Sequence, residues 1–340
     1  MSELLGKLTE YVRNLPQAEV RVVLGDGSAD EGHSVLAEAQ PRSGGSDLEG
    51  RSIDAVPVGD PELGRFTCFM DGMQRPRGPI YITKQPVPIL YGYIAAVVRV
   101  RGSDRRMRTL KGYHKTDEAL YFSQALMSSI GVDIEGIDAK ADKNDLSEHP
   151  LALVQAARDK ISTRRGKLES DLVACWLAEY GGGCEWLMVD GSLGAECSGN
   201  VPANVVGVTK SHATQYFEWH DQKKILDLNV GERSGVFIPI IAGRRRPVYS
   251  WYLRLRPNDG QDVYFGLVRV EAQKSQRTLD MADEISRWLL AERCPLSLPD
   301  FRWDKMIYPI RDCEQYLKSL APTHTSLDAM LIKLSRMIHR

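Results

Sequence analysis

The sequence lacks the features that mark several broad classes of protein. No window approaches the ~18 consecutive apolar residues that a membrane-spanning helix needs. The formal net charge is only −1 at pH 7, which excludes a globally basic nucleic-acid binder but allows a local basic groove. The first residues carry charges too early and too often for a secretion signal. We therefore expect a soluble, cytoplasmic protein that does not associate with membranes.

Several motifs of catalysis and ligand binding are missing as well. The six cysteines are scattered without a CxxC pair, and no His/Cys grouping has the spacing of a zinc site, which predicts reduced, mostly structural thiols. No Walker A sequence is present, so the chain itself is not expected to be an ATPase, and there is no GxSxG elbow.

What is present is a composition typical of a packed globular protein. Of the 340 residues, 43% are hydrophobic and 26% are charged, which is enough for a sizeable core. We interpret residues 1–340 as a single domain. Its parts are an N-terminal helix and loop-rich segment over 1–60, a core over 61–320 and a C-terminal helix over 321–340.

Two short apolar runs between residues 185 and 212 each end on charged or polar residues. The run 186–189 ends on Asp190, and the run 205–208 is followed by Thr209 and Lys210. Polar groups at the ends of neighbouring strands often form a site at the rim of a sheet. The alternative is that Asp190 belongs to a hairpin turn and that Lys210 is a solvated strand end.

A second carboxylate follows an apolar run in the same way, and a third lies on a helix. The run 65–70 is a predicted strand that ends on Asp71, and a glycine follows. A helix is predicted over 150–180, with proline in its first turn and three glycines after its end. Glu169 lies on the increasingly apolar face of this helix, which favours an inward position. The alternative is a surface glutamate paired with Arg165.

The remaining periodicities predict further helices and strands, including an antiparallel hairpin with a basic side. Helices are predicted over 3–15, 213–226, 279–291, 312–320 and 326–339, and strands over 89–100, 236–241, 248–255 and 263–270. The last two strands form the hairpin, with a turn at 258–260. Arg254, Arg256 and Arg269 lie in it and are candidate DNA contacts, although solvated faces of such pairs also carry charges.

Two aspartates after separate strands and a glutamate on the intervening helix suit hard divalent cations. Carboxylate oxygens are the ligands that Mg²⁺ and Mn²⁺ prefer. Two such ions can activate a water and stabilise the leaving oxygen in phosphodiester hydrolysis. A lysine adds positive charge near the scissile phosphate or the nucleophile.

Taken in order, four segments of the chain resemble the NurA family of nucleases. They are FMDGMQRP around Asp71, RGKLESDLV around Glu169, VDGSL around Asp190 and VVGVTKSH around Lys210. The later segments GERSGVF, WYLRLRP and FGLVRVE and the closing IYPI add to the resemblance, which runs from about residue 65 to about residue 320. The chain departs from the family at Met73, where a serine is more common.

The resemblance implies an RNase H-like core, a mixed β-sheet flanked by helices with carboxylates near its centre. It also implies Mn²⁺- or Mg²⁺-dependent 5′→3′ exonuclease and single-strand endonuclease activity on DNA. The implied partners are a second copy of the chain and the hexameric HerA ATPase, which acts with the family in processing DNA ends. Carried over by motif, Asp71, Glu169 and Asp190 are expected to bind the metal ions, and Lys210 to contact phosphate or the reacting water.

One family element is incomplete near the C-terminus. The late Tyr-Pro of the family is matched by Tyr308 and Pro309, but the histidine that usually follows and completes the metal site is absent. Asp312 or Glu314 is the expected substitute. This departure motivates a rival hypothesis, a non-catalytic RNase H-like adaptor of a HerA-type assembly. An RNA-directed hydrolase on the same core is a third alternative, since nothing in the sequence reads a 2′-hydroxyl group.

Overall fold

The computed structural model describes most of the chain. The described residues are 4, 6–7, 10, 45–48, 53–81, 87–129, 131, 133–140, 148–194, 204–212, 214–241, 244–245, 248–293, 305 and 307–329. Residues 4, 6, 7 and 10 are helical, and the rest of the predicted N-terminal helix lies outside these ranges. The predicted C-terminal helix over 326–339 is described only as far as residue 329, within a helical segment over 324–329.

Within the described residues, thirteen strands belong to one sheet. The strands are β1 (Gly45–Asp47), β2 (Val56–Pro57), β3 (Phe66–Tyr81), β4 (Pro88–Arg101), β5 (Met107–Phe122), β6 (Ile137–Asp138), β7 (Trp186–Asp190), β8 (Val205–Thr209), β9 (Glu232–Arg233), β10 (Phe237–Ile241), β11 (Arg244–Arg245), β12 (Val248–Arg254) and β13 (Leu267–Gln273). The helices are α1 (Gln124–Ser129), α2 (Pro150–Tyr180), α3 (Trp219–Leu226), α4 (Gln276–Glu292) and α5 (Tyr308–Leu320).

The middle of the sheet mixes parallel and antiparallel strands in the order β5–β4–β3–β7–β8–β13–β12. Strand β4 pairs antiparallel with β5 on one side and with β3 on the other. Strands β3, β7 and β8 then run parallel to one another, and β13 and β12 return to antiparallel pairing. A mixed sheet flanked by helices is therefore confirmed as the fold class.

Helices cover both faces of this sheet, which explains why its central strands are almost continuously apolar. On one face α2 packs through Leu172 and Trp176 against Cys68 and Met70 of β3. The other face is covered by α4 and α5, which join Phe69 of β3 in the largest hydrophobic cluster. Successive residues of β3 therefore point alternately to the α2 face and to the α5 face.

The longest helix has clear start and stop signals. Pro150 occupies its first turn, where the missing N–H costs nothing. His149 is the N-cap, and its Nδ1 accepts a hydrogen bond from the backbone N–H of Leu151 at 3.2 Å. Gly181 is the C-cap, and its N–H donates to the carbonyl of Leu177 at 3.0 Å. The predicted bounds of this helix, 150–180, are confirmed.

Several other predicted boundaries need correction. The predicted strand over 65–70 continues to Tyr81, because β4 pairs with β3 along nearly its whole length. The predicted helix over 213–226 is helical only over Trp219–Leu226. The hairpin is present as β12 and β13, but its connection spans 255–266, so β13 begins later than predicted. No helix among the described residues is long and apolar enough to cross a membrane.

Candidate active site at the end of strand β7

Asp71 and Asp190 lie side by side on adjacent strands. Met70 pairs with Val189 in the parallel register of β3 and β7, so the residues that follow them are neighbours on the same face. Adjacent strands are about 4.8 Å apart. Asp190 ends β7, and Gly191 turns the chain away with a φ of 128° that favours glycine. The two carboxylates therefore meet at a step in the sheet, where β7 stops and β3 continues.

The position of Asp71 corrects one detail of the sequence prediction. Asp71 was expected at the end of a strand, but it lies inside β3, opposite Val97 of β4. Its carboxylate accepts a hydrogen bond from the backbone N–H of Gly72 at 2.7 Å. The Asp-Gly pair is thus not a turn here, and it is the end of β7 that opens the space beside Asp71.

Lys210, which follows the next strand, β8, contacts Asp190. Asp190 pairs with Val208 in the parallel register of β7 and β8, so Lys210 lies just beyond the end of β8. Its Nζ donates to Oδ2 of Asp190 at 2.8 Å, and both side chains are about three-quarters buried. The structure therefore brings together the aspartate and the lysine that the sequence placed after two separate strands.

Glu169 approaches the same step from the opposite face of the sheet. It lies on α2 directly over Gly72, so closely that a Cβ atom at that glycine would stand 1.9 Å from Oε1 of Glu169. Oε1 is buried and accepts no hydrogen bond from the described residues. Its nearest cation is Nη1 of Arg165, at 3.4 Å. Glu169 is therefore directed inward, as predicted, and it keeps the Arg165 pairing that was the alternative.

The three carboxylates influence one another electrostatically. Burial raises the pKa of Asp71 well above its ordinary range, and the negative charges of Asp190 and Glu169 raise it further, against the opposing effect of Lys210. Burial also raises the pKa of Glu169, which Arg165 lowers and the charge of Asp190 raises. Crowded carboxylates of this kind favour a proton or a cation among them.

The donor set fits a hard divalent cation, although the side chains do not already form a cage. Among the described residues, no three His, Cys, Asp or Glu side chains stand together closely enough to hold a metal ion as they are. The fit rests instead on a buried carboxylate oxygen of Glu169 without a donor and on two neighbouring aspartates. Oxygen ligands of this type suit Mn²⁺ and Mg²⁺. Asp71, Glu169 and Asp190 are the residues that would hold the ion.

Helix α5 brings one of the two proposed substitutes for the missing histidine toward Asp71. The charge of Glu314 contributes to the raised pKa of Asp71, and Glu314 also pairs with Lys318 at 2.9 Å. Asp312 points elsewhere and pairs with Arg99 at 2.7 Å. Tyr308, at the start of α5, is 59% exposed. Of these three candidates, only Glu314 contributes to the raised pKa of Asp71.

A buried network that the sequence did not reveal holds the loops on either side of the site. Arg269 forms an ion pair with Glu271, and both side chains are almost fully buried. Glu271 accepts the backbone N–H of Leu193 at 2.8 Å, while Arg269 donates at 3.4 Å to the hydroxyls of Ser192 and Thr209. These hydrogen bonds tie the loop after Asp190 and the end of β8 to side chains of β13. Glu271 was missed because an alternating strand pattern does not show which charged side chains face a covering loop.

The three predicted DNA-contacting arginines have different surroundings. Arg254 is fully buried, and its guanidinium donates to the carbonyls of Leu226, Leu228, Val263 and Phe265. Arg269 is also buried, in the network described above. These placements do not support a DNA contact by either residue. Arg256 is partly exposed and follows β12 at the same edge of the sheet as the end of β8.

Comparisons with known proteins neither add to nor subtract from this geometry. A scan against protein-family models and a search of the curated proteins both find no match for this chain.

Proposed function

We propose that this chain is a metal-dependent DNA nuclease with an RNase H-like core. The observation that carries the proposal is the convergence of Asp71, Asp190 and Glu169 at one step in the sheet, next to the ammonium group of Lys210. Three interacting carboxylates with a neighbouring lysine suit the hydrolysis of a phosphodiester, in which a cation must balance the developing negative charge.

The strand arrangement supports the RNase H-like part of the proposal. Three antiparallel strands, β5, β4 and β3, are followed across the sheet by two strands parallel to β3. The helix α2, which lies between β5 and β7 in the chain, delivers the glutamate to the central pair of aspartates. The two aspartates therefore come from the middle of a mixed sheet and the glutamate from a covering helix, an arrangement that agrees with the resemblance to NurA nucleases.

Each side chain has a distinct task in the proposed reaction. Asp71, Asp190 and Glu169 would hold Mn²⁺ or Mg²⁺, which supplies positive charge to the phosphate and acidity to a bound water. Lys210 holds Asp190 at 2.8 Å in the absence of substrate, and its ammonium can turn to a phosphate oxygen when DNA enters. The buried pair of Arg269 and Glu271 would hold the loop after Asp190 in place when Lys210 turns from Asp190 to the phosphate.

The decisive experiment is a nuclease assay with Mn²⁺ on single-stranded DNA and on end-labelled duplex DNA. Asp190→Asn keeps the shape of the side chain and removes its charge. We expect it to lower the rate by about a hundredfold or more, the effect typical of losing a group that stabilises charge in the transition state. Because Asp190 is about a quarter exposed and ends its strand, the melting temperature should change little.

Asp227→Asn is the matched control, since it removes a carboxylate that is exposed and pairs only locally with Lys223 among the described residues. This variant should cleave DNA as the wild type does. If Asp190→Asn retains wild-type activity, or if the wild type shows no cleavage with Mn²⁺ or Mg²⁺ on either substrate, the proposed function is wrong.

The same proposal includes the partners that the resemblance implies. DNA, as single strands or duplex ends, is the substrate; a HerA-type hexameric ATPase would move it; and a second copy of the chain would complete a homodimer. Of the three predicted DNA contacts, only Arg256 is not buried, and it follows β12 at the end of the sheet where β8 leads to Lys210. Analytical ultracentrifugation of the chain alone, and with a HerA-type ATPase, tests these partners independently of cleavage.

A non-catalytic adaptor is the second candidate function, and two observations favour it. Lys210 already neutralises Asp190, and the late histidine of the family is absent. An adaptor with a lysine-closed site would show no rise in melting temperature on addition of Mn²⁺. A site that binds the ion only when folded must show such a rise.

A further inference from the structure

A strip of buried polar atoms that make no hydrogen bond with the described residues continues from the carboxylate cluster along the α2 face of β3. These atoms include Oε1 of Glu169, Nε of Arg165 and Oε1 of Gln74. Gln74 follows Gly72 by two residues and therefore projects from the same face of the strand. Arg165 precedes Glu169 by one helical turn, about 5.4 Å along α2. Buried polar atoms are normally paired, and a polar ligand that reaches this strip would supply partners for all three.

The pairing of Arg165 with Glu169 leaves most of the guanidinium unused. The contact of 3.4 Å between Nη1 and Oε1 is longer than the 2.7–2.9 Å typical of a charge-assisted hydrogen bond. A guanidinium has five N–H donors arranged in a planar fork. If the proposed metal ion takes the oxygen of Glu169, Arg165 loses its only described anionic neighbour and is left as a positive charge that is 35% exposed at the rim of the site.

We propose that Arg165 binds the phosphate next to the scissile one and that Gln74 lines the same subsite. This inference rests on the proposed nuclease function, because it assumes that a DNA strand crosses the step at Asp71. A phosphate supplies the acceptor oxygens that Arg165 lacks, and the amide of Gln74 pairs with water or with a base edge beside it. Glu169 lies over Gly72, between Asp71 and Gln74 in the strand, so the proposed subsite adjoins the carboxylate cluster.

The first measurement is the salt dependence of binding to single-stranded oligothymidylate with Ca²⁺ in place of Mn²⁺, so that a divalent ion can occupy the carboxylates while cleavage is suppressed. Each phosphate contact contributes about −0.7 to the slope of log K against log salt concentration for single strands. Arg165→Met should reduce the magnitude of the slope by about that amount, and Arg165→Lys should restore part of it. Lys167→Met removes the same charge from an exposed position two residues further along α2, and should leave the slope unchanged.

The second measurement separates this role from a mere influence on Glu169. With Mn²⁺ at saturation, Arg165→Met should raise KM for DNA at least several-fold, with kcat and the Mn²⁺ concentration at half-maximal activity little changed. If the variant shifts the Mn²⁺ dependence and leaves the salt slope as in the wild type, Arg165 serves only Glu169 and the subsite proposal is wrong. If the wild type binds oligothymidylate with an Arg165-dependent slope but cleaves nothing with any divalent ion, the nuclease proposal fails while the subsite stands.

Discussion

At the scale of single residues, Gly72 shows how a small side chain can be a requirement of a site. Glu169 reaches the aspartates only because its carboxylate occupies the volume that a Cβ atom at residue 72 would fill. A glycine in the middle of a strand normally weakens it, since it adds chain entropy and packs nothing. Its presence in β3 is therefore explained by the approach of α2 rather than by the needs of the sheet.

The substitution Gly72→Ala tests this explanation without removing any carboxylate. The new methyl group would displace Glu169, whose side chain is flexible, so the fold should survive with a stability change of about 1 kcal/mol or less. Under the proposed function, the Mn²⁺-dependent rate should fall at least tenfold, because the new methyl group would displace one of the three proposed metal ligands. Measurement of the rate and of the melting temperature on the same preparation checks both parts.

Gly166 of α2 offers the matched control for that experiment. A Cβ atom there would contact nothing within 4 Å. Gly166→Ala should leave the rate unchanged and should stabilise the protein by about 0.5–1 kcal/mol, because alanine favours the helix interior. Equal rates for Gly72→Ala and the wild type would show that Glu169 does not take part in the reaction.

At the scale of secondary-structure elements, the Arg254 side chain joins the end of α3 to the turn before β13. Its guanidinium donates to carbonyls at the end of α3, at Leu226 and Leu228, and in the turn before β13, at Val263 and Phe265. Arg254→Met preserves the volume and removes every donor. We expect a loss of about 3 kcal/mol or more, since several buried carbonyls would lack a partner.

Urea denaturation of Arg254→Met beside Arg256→Met measures this difference directly. Arg256 is partly exposed, and its substitution should cost less than about 1 kcal/mol. An Arg254→Met protein as stable as the wild type, with weakened DNA binding instead, would return Arg254 to the set of DNA contacts.

The sequence predicts the bounds of elements with strong local signals well, but it does not predict which strands pair or which side chains pack together. The bounds of α2 and the two short strands that carry Asp190 and Lys210 agree with the prediction, because a proline, a glycine run and apolar runs mark them. The length of β3 was underestimated because its polar second half is stabilised by pairing with β4, which no local pattern encodes.

The candidate site was predictable as a set of residues but not as an arrangement. The carboxylates and Lys210 were chosen from their positions after apolar runs and on a helix. Their approach from two faces of the sheet, with Glu169 over Gly72, depends on strand register and on the packing of α2. The buried role of Arg254 was missed for the same reason, since an alternating pattern assigns faces without telling which face is covered.

At the scale of the whole molecule, the clustered carboxylates make stability depend on pH and on metal ions together. Burial and mutual repulsion raise the pKa of Asp71 and of Glu169, so the folded protein binds these two protons more tightly than the unfolded chain does. Without metal, the binding of these two protons therefore stabilises the folded protein fully at pH values below the ordinary carboxyl pKa. The folded protein loses that stabilisation as the pH rises through the raised pKa values.

We expect the stabilisation by Mn²⁺ to grow over that same pH interval, because the ion binds the charged carboxylates. Melting temperatures of the wild type and of Asp71→Asn, recorded against pH with and without Mn²⁺, test this. Comparing the two proteins cancels the contributions of other titrating groups, such as half-buried His212, whose pKa desolvation lowers to about 4. A difference that does not vary with pH would show that Asp71 does not carry the expected proton.

The step in the sheet also has a consequence for how the protein is made. Residues 71 and 190 are 119 positions apart, and β4, β5 and α2 lie between them in the chain. Contacts between such distant positions form late, because closing the long loop costs chain entropy before the strand pairing stabilises the structure. A polypeptide still emerging from the ribosome therefore lacks the aspartate pair until β7 is synthesised and docked beside β3. If the proposed nuclease function is correct, the incomplete chain should not cleave nucleic acid until most of its core has folded.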